Sequence, residues 1–176
     1  MMSNGSFTIT AHRNLVVTPE EVWAVVSDTS RYVDWVDTVL EVQSHHGPAR
    51  VGGSYTERIR SVGPLAAHVR WTVRQIEPMS LRVDTGEGLS PLRDVINVFR
   101  FASLANGCTG MTYEFHFSMT PRPVGALVRR LLAPSMRESF DASMRRLESV
   151  ILSERPPADK RAAAPDPKNS QSLEYP

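Results

Sequence analysis

The hydrophobic period of this chain changes once, and that change limits what it can fold into. Up to Met119 apolar residues tend to recur at every second position, whereas beyond Pro121 they recur at every third or fourth. Leu127, Val128, Leu131, Leu132, Met136, Phe140, Met144, Leu147 and Ile151 then form one stripe, which predicts a long amphipathic helix. Pro134 lies inside it. Because proline lacks the N–H and crowds the carbonyl four residues back, a break into a short and a long helix is expected there.

The period-two part begins with a strand over Phe7 to Val17, with Phe7, Ile9 and Ala11 on one face. Thr18-Pro19-Glu20-Glu21 is a helix start: the threonine hydroxyl accepts from the backbone, the proline is preset for the first turn, and Glu21 can reach back as a capping box. Val22, Trp23, Val25 and Val26 form the buried side of a short helix ending near Asp28. Thr29 then opens a second short turn through Arg31, Tyr32 and Trp35. Strand-like segments follow in succession: Val39 to His45, Gly53 to Val62, Leu65 to Ile76, Leu81 to Thr85, Asp94 to Leu104 and Cys108 to Met119. They are separated by turn residues at Gly47-Pro48, Gly63-Pro64, Glu77-Pro78, Gly86-Glu87-Gly88 and Asn106-Gly107. The last is a hairpin signal, since both residues tolerate positive φ. With no helical period between them, these segments form an antiparallel meander.

The chain is therefore read as α+β: a curved antiparallel sheet of about seven strands wrapped around a long C-terminal helix, with two short helices after the first strand. A bent sheet closed by a helix leaves a cavity between them. Residues 1–154 form this single domain. Residues 155–176, with Pro156, Pro157, Pro165, Pro167 and Pro176 among Ala, Lys, Asp and Ser, are expected to be a disordered tail, because they cannot bury enough apolar surface to offset ordering.

Composition narrows the function. Twenty basic against 19 acidic residues, a net charge of +1, provide no electrostatic surface for nucleic acid. No stretch approaches the ~20 apolar residues of a membrane span, so integral membrane association is not expected. The single Cys108 cannot form an internal disulfide and suits a reducing compartment, hence a cytoplasmic location. His45 and His46 are adjacent in a strand and point to opposite faces, and no His-Glu-x-x-His spacing exists, so no metal site is expected. Gly86-Glu87-Gly88 lacks a third glycine and a following helix, and no cofactor is implied. Oligomeric state is not legible.

Four segments resemble the START-like (SRPBCC) superfamily, and within it the polyketide cyclase/dehydrase-like branch. "TPEEVWAVVSDTSRYVDWV" (18–36) is similar to its helical opening, "VGGSYTERI" (51–59) to its glycine-led third strand, "WTVRQIEP" (71–78) to its central strand and turn, and "LLAPSMRESFDASMRRLESVI" (131–151) to its closing helix. The resemblance implies a helix-grip fold around one cavity for a hydrophobic small molecule. It is compatible with a polyketide cyclase or dehydratase, with a non-catalytic lipid, quinone or metabolite carrier, and with a protein-interaction module.

If the large apolar residues point inward, Tyr55, Glu57 and Ile59 share the inner face of the third strand. Val69, Trp71 and Val73 share that of the fourth, Val95, Asn97, Phe99 and Phe101 that of the sixth, and Tyr113, Phe115, Phe117 and Met119 that of the seventh. Thr56, Arg58, His68, Arg70, Arg74, Arg100, Glu114 and His116 then face outward. The candidate ligand-binding residues are Tyr55, Trp71, Asn97, Phe99, Tyr113 and Phe115 from the sheet, with Met136 and Phe140 from the helix. Tyr32 and Trp35 are candidates to gate the mouth, and Arg93 is a cation near a strand end. An inward Glu57 is the candidate catalytic acid or base, because a buried carboxyl has a raised pKa suited to proton transfer. The alternative is a structural Glu57 at the sheet rim or paired with Arg93. Aromatase/cyclases of the resembled family carry an arginine in the pocket; here the alternation turns Arg58 and Arg70 outward and leaves only Arg93.

Overall fold

The structure, a computed structural model, describes residues 5–44, 47–60 and 66–156. Strand β1 (Ser6–Leu15) leads into helix α1 (Pro19–Val26), and one turn of 3₁₀ helix at Thr29–Arg31 runs into the short α2 (Tyr32–Trp35). Six strands follow: β2 (Val39–Val42), β3 (Ser54–Arg60), β4 (Ala66–Glu77), β5 (Leu81–Glu87), β6 (Arg93–Ser103) and β7 (Thr109–Ser118). Helix α3 (Arg122–Glu154) closes the fold. All neighbours pair antiparallel in the order β1-β7-β6-β5-β4-β3-β2. β1 and β2 are thus the two edges of the curled sheet, and α1 and α2 carry the chain from one edge to the other.

The local signals act as expected where their chemistry is local. Thr18 Oγ1 accepts from the Glu21 N–H, and the Glu21 carboxylate accepts from the Thr18 N–H at 2.8 Å, completing the capping box. Such a cap is worth ~1 kcal/mol. Glu21 also holds Arg155 at 2.8 Å, tying the end of α3 to the start of α1. Asn106 and Gly107 take positive φ between β6 and β7. Register shifts within β2, β4 and β6 add local bends to the sheet.

Three expectations are corrected. Helix α3 does not break at Pro134. The carbonyl that proline leaves without a donor belongs to Arg130; both residues are exposed, so water can serve it, and the packed residues on either side hold the helix line. Leu127 and Leu131 leave the predicted stripe at 57% and 68% exposure, because the inward face of this half runs instead through Gly125, Val128, Leu132, Ala133 and Met136. Gly86 and Glu87 extend β5 rather than forming a loop: Gly86 pairs with Trp71 and Val95, and a Cβ there would lie 2.5 Å from the Trp71 ring. The Gly63-Pro64 turn, the His45-His46 pair and residues 157–176 of the Pro-rich tail lie outside the described residues.

Inward alternation holds along β3, β4, β6 and β7. Val69, Trp71, Val95, Phe99, Phe101, Tyr113, Phe115, Phe117 and Met119 are all buried. The opposite face carries polar pairs such as Arg100 with Glu114 at 3.1 Å and His116 with Glu114 at 2.9 Å. Among the described residues, no helix is long and apolar enough to cross a membrane.

Candidate functional site

A cavity of about 700 Å³ lies between the concave sheet face and α3. β3 contributes Glu57 and Ile59 to its wall, β4 Trp71, β6 Asn97 and Phe99, β7 Tyr113 and Phe115, α2 Tyr32, and α3 Val128, Leu132, Met136 and Phe140. Its mouth includes the exposed Arg60, Gly88, Ser90 and Pro91. The wall is mostly hydrocarbon and aromatic because each of these strands turns its apolar set to the same face.

Aromatic packing sets the shape. Tyr113 stacks on Phe140 with ring centroids 4.0 Å apart, and Phe99 meets Tyr113 at 4.6 Å. Tyr32 stands edge-on to Trp35 at 5.3 Å, to Tyr55 at 5.9 Å and to Phe99 at 6.2 Å. These contacts hold the inner wall in one arrangement.

The residues singled out from the sequence fall into two groups. Tyr32, Glu57, Trp71, Asn97, Phe99, Tyr113, Phe115, Met136 and Phe140 are brought together around the cavity. Trp35, Tyr55 and Arg93 are not. Trp35 is fully buried one layer behind, against Tyr32 and Phe99. Tyr55 is buried with its hydroxyl donating to Asp84 Oδ2 at 2.7 Å. Arg93 is exposed and does not line the cavity itself; it borders a second depression of about 380 Å³ that shares Gly88, Ser90, Pro91 and Leu92 with the cavity lining.

Arg82 and Asp84, which the sequence reading did not single out, form the buried charge pair of this fold, both fully inaccessible. Arg82 Nε donates to Asp84 Oδ2 at 3.0 Å and Oδ1 at 3.2 Å, and its Nη1 donates to the Val26 carbonyl at 3.0 Å. The guanidinium also sits 5.1 Å from the centre of the Tyr32 ring and 5.7 Å from that of Tyr55. Burial opposes the charge on Arg82, but Tyr32, Tyr55 and Asp84 outweigh it and keep the group protonated. β5 alternates apolar Leu81 and Val83 with charged Arg82 and Asp84. Taken alone it invites the opposite facing, and only its pairing of Asp84 with Val73 and Asn97 turns the charges inward. Neither residue lines the cavity.

Glu57 is 4% exposed. Its Oε2 accepts the Trp71 indole N–H at 2.7 Å, while Oε1 has no hydrogen-bond partner among the described residues. Burial pushes its carboxyl up to about 8; the Trp71 hydrogen bond opposes this, Asp84 adds to it, and Arg82 opposes it. Glu57 is therefore mainly a neutral acid at pH 7. Burial likewise holds the Tyr113 hydroxyl well above its ordinary range, with the Glu57 charge adding to it, and Tyr32 shifts the same way. The wall thus offers a carboxyl that can give or take a proton, with phenol and amide groups able to hold an oxygen.

The comparisons place this geometry in context. The sequence matches no curated protein. Among solved structures, an aromatase/cyclase from Streptomyces named Zhui superposes with a TM-score of 0.66 at 12% identity, covering 87% of this chain and 98% of its own. A Staphylococcus aureus protein of unknown function reaches 0.67 at 13% identity over the same shares, 87% and 98%. A Chromobacterium violaceum protein reaches 0.62 at 18% identity, covering 85% and 98%. These likenesses establish the fold. The family model described as polyketide cyclase/dehydrase and lipid transport matches residues 6–151, nearly all of the described chain. The chain therefore belongs to the polyketide cyclase/dehydrase and lipid transport family.

Proposed function

We propose that this protein binds a hydrophobic small molecule, polyketide-like, lipid-like or an aromatic metabolite, in the cavity, and acts on it as a cyclase or dehydratase with Glu57 moving the proton. The observation that carries the reading is a carboxyl raised to about 8 on the wall of a largely apolar cavity, with one oxygen fixed by Trp71 and the other without a hydrogen-bond partner among the described residues. In a dehydration, the Glu57 acid gives its proton to the departing hydroxyl, and the carboxylate left behind accepts a proton from the carbon next to the carbonyl. In a cyclisation the same group assists enolisation while the walls hold the folded chain near its closing geometry. The single cysteine, which cannot form an internal disulfide, suits a cytoplasmic setting.

A carrier or sequestering role is the second reading, and one observation favours it. Among the described residues, the deeply buried cation near the cavity is Arg82; it is committed to Asp84 and does not line the wall, so none of them gives Glu57 a charged partner there.

Native mass spectrometry of the freshly purified chain tests the binding half. A co-purified apolar molecule, released on unfolding, is the expected result, and the identified guest then enters a turnover assay. Loss of conversion in Glu57→Gln with binding retained supports the enzyme; binding with no conversion by the wild-type chain supports the carrier.

A further inference from the structure

We infer that the ligand enters with an uncharged hydrogen-bonding head, a hydroxyl or carbonyl on an otherwise apolar body, that Glu57 holds this head, and that a carboxylate is refused there. The inference rests on the cavity being the ligand site.

Among the described residues, three polar atoms of cavity-lining side chains have no hydrogen-bond partner: Glu57 Oε1, Asn97 Oδ1 and Tyr32 Oη. Their side chains are more than nine-tenths buried, at 4%, 8% and 2% exposure. Unmade hydrogen bonds in such surroundings are strongly unfavourable, so a ligand that supplies the partners gains where a plain hydrocarbon forfeits. Trp71 already occupies Oε2, which leaves Oε1 as the Glu57 oxygen without a hydrogen bond among the described residues.

Charge decides which head fits. The groups acting on Glu57 from the packed elements are Arg82 and Asp84 of β5, and Tyr32 of α2, Tyr55 of β3 and Tyr113 of β7 also feel its charge. Arg82 is closed off by Asp84 and the Val26 carbonyl, and the tyrosines keep their protons. A carboxylate placed there is stripped of water with no cation facing it among the described residues, and the neutral Glu57 carboxyl offers it one hydrogen bond but no compensating charge. The cation of the described lining is Arg60, exposed at the end of β3. A carboxylate reaching it lies head outward, leaving the three inner atoms unpaired.

The test titrates the full chain with naphthalene, 2-naphthol and 2-naphthoate at mildly acidic pH, following the Trp71 indole N–H resonance, assigned with Trp71→Phe. The expected result is that 2-naphthol binds about tenfold tighter than naphthalene, the factor one buried hydrogen bond supplies, and at least about tenfold tighter than 2-naphthoate. It also moves the Trp71 signal. Glu57→Leu brings 2-naphthol down to the level of naphthalene, and Glu57→Gln, which still hydrogen-bonds, restores the preference. The wild-type comparison decides even where a variant does not fold. Equal or tighter binding of 2-naphthoate overturns the inference, as does 2-naphthoate binding that disappears in Arg60→Ala, the mark of the reversed pose. A hydroxyl preference that survives Glu57→Leu also overturns it. If none of the three probes binds, the cavity reading itself fails, which is a separate outcome.

Discussion

Trp71 and Glu57 are joined diagonally across β3 and β4: Trp71 pairs with Tyr55 in register, yet its indole N–H reaches Glu57 Oε2, two residues along the neighbouring strand, at 2.7 Å. The ring reaches that far because it lies flat over Gly86 on the next strand. One tryptophan thereby fixes the orientation of the buried carboxyl and forms part of the cavity wall.

The raised Glu57 pKa makes stability depend on pH. Its value rises from 4.5 to about 8 on folding, so between these limits the folded chain binds more protons than the unfolded one. The contribution is fully present below the unfolded value and is lost as pH rises through the folded one, a swing of a few kcal/mol, roughly 1.4 kcal/mol for each unit. Urea denaturation of the wild type and Glu57→Gln, at pH on either side of this window, is expected to show the variant gaining relative stability at the alkaline end. Parallel curves for the two proteins contradict the assignment.

Replacing Gly86 by Ala puts a methyl group 2.5 Å from the Trp71 ring. The indole must shift, weakening its hydrogen bond to Glu57. A loss of ~1–3 kcal/mol in stability is expected, together with a changed tryptophan fluorescence spectrum. An unchanged spectrum and midpoint show that the ring does not depend on this glycine.

Arg82→Met leaves Asp84 buried without its cation. Such truncations destabilise by ~3–5 kcal/mol, whereas replacing both partners by apolar groups is often nearly neutral. Arg82→Met with Asp84→Leu is therefore expected to recover much of the loss of the single variant in a denaturation cycle. A double variant as unstable as the sum of the singles shows that the two groups act separately.

Pro134→Ala restores an N–H to the interior of α3. Because the helix already runs continuously through this position, the change is expected to stabilise the fold, by up to ~3 kcal/mol at the propensity limit, and so to raise the unfolding midpoint. A lower midpoint, or weaker ligand binding, indicates that the proline shapes α3 for the cavity.

Much of the fold follows from neighbours in the chain. The Thr18–Glu21 capping box, the Asn106-Gly107 hairpin and the alternation in β3, β4, β6 and β7 each depend on residues a few positions apart, and each acts as its chemistry requires. That alternation is why Glu57, Trp71, Asn97 and Tyr113 were legible as inward-facing. α3 was legible in extent and misread at Pro134, because the strength of the packing on either side is not written in the local pattern.

The amino-acid sequence by itself determined the order of elements, the faces of most strands and the resemblance to the family, because turn chemistry and hydrophobic period are local properties. Only the tertiary structure decided that Arg82 and Asp84 face inward, that Trp35 and Tyr55 sit one layer behind the cavity, and that Arg93 lies outside it. Those outcomes depend on the register of β5 against its neighbours and on how deep each ring lies in the core. Both are set by packing between segments far apart in the chain, and no periodicity within one segment carries them.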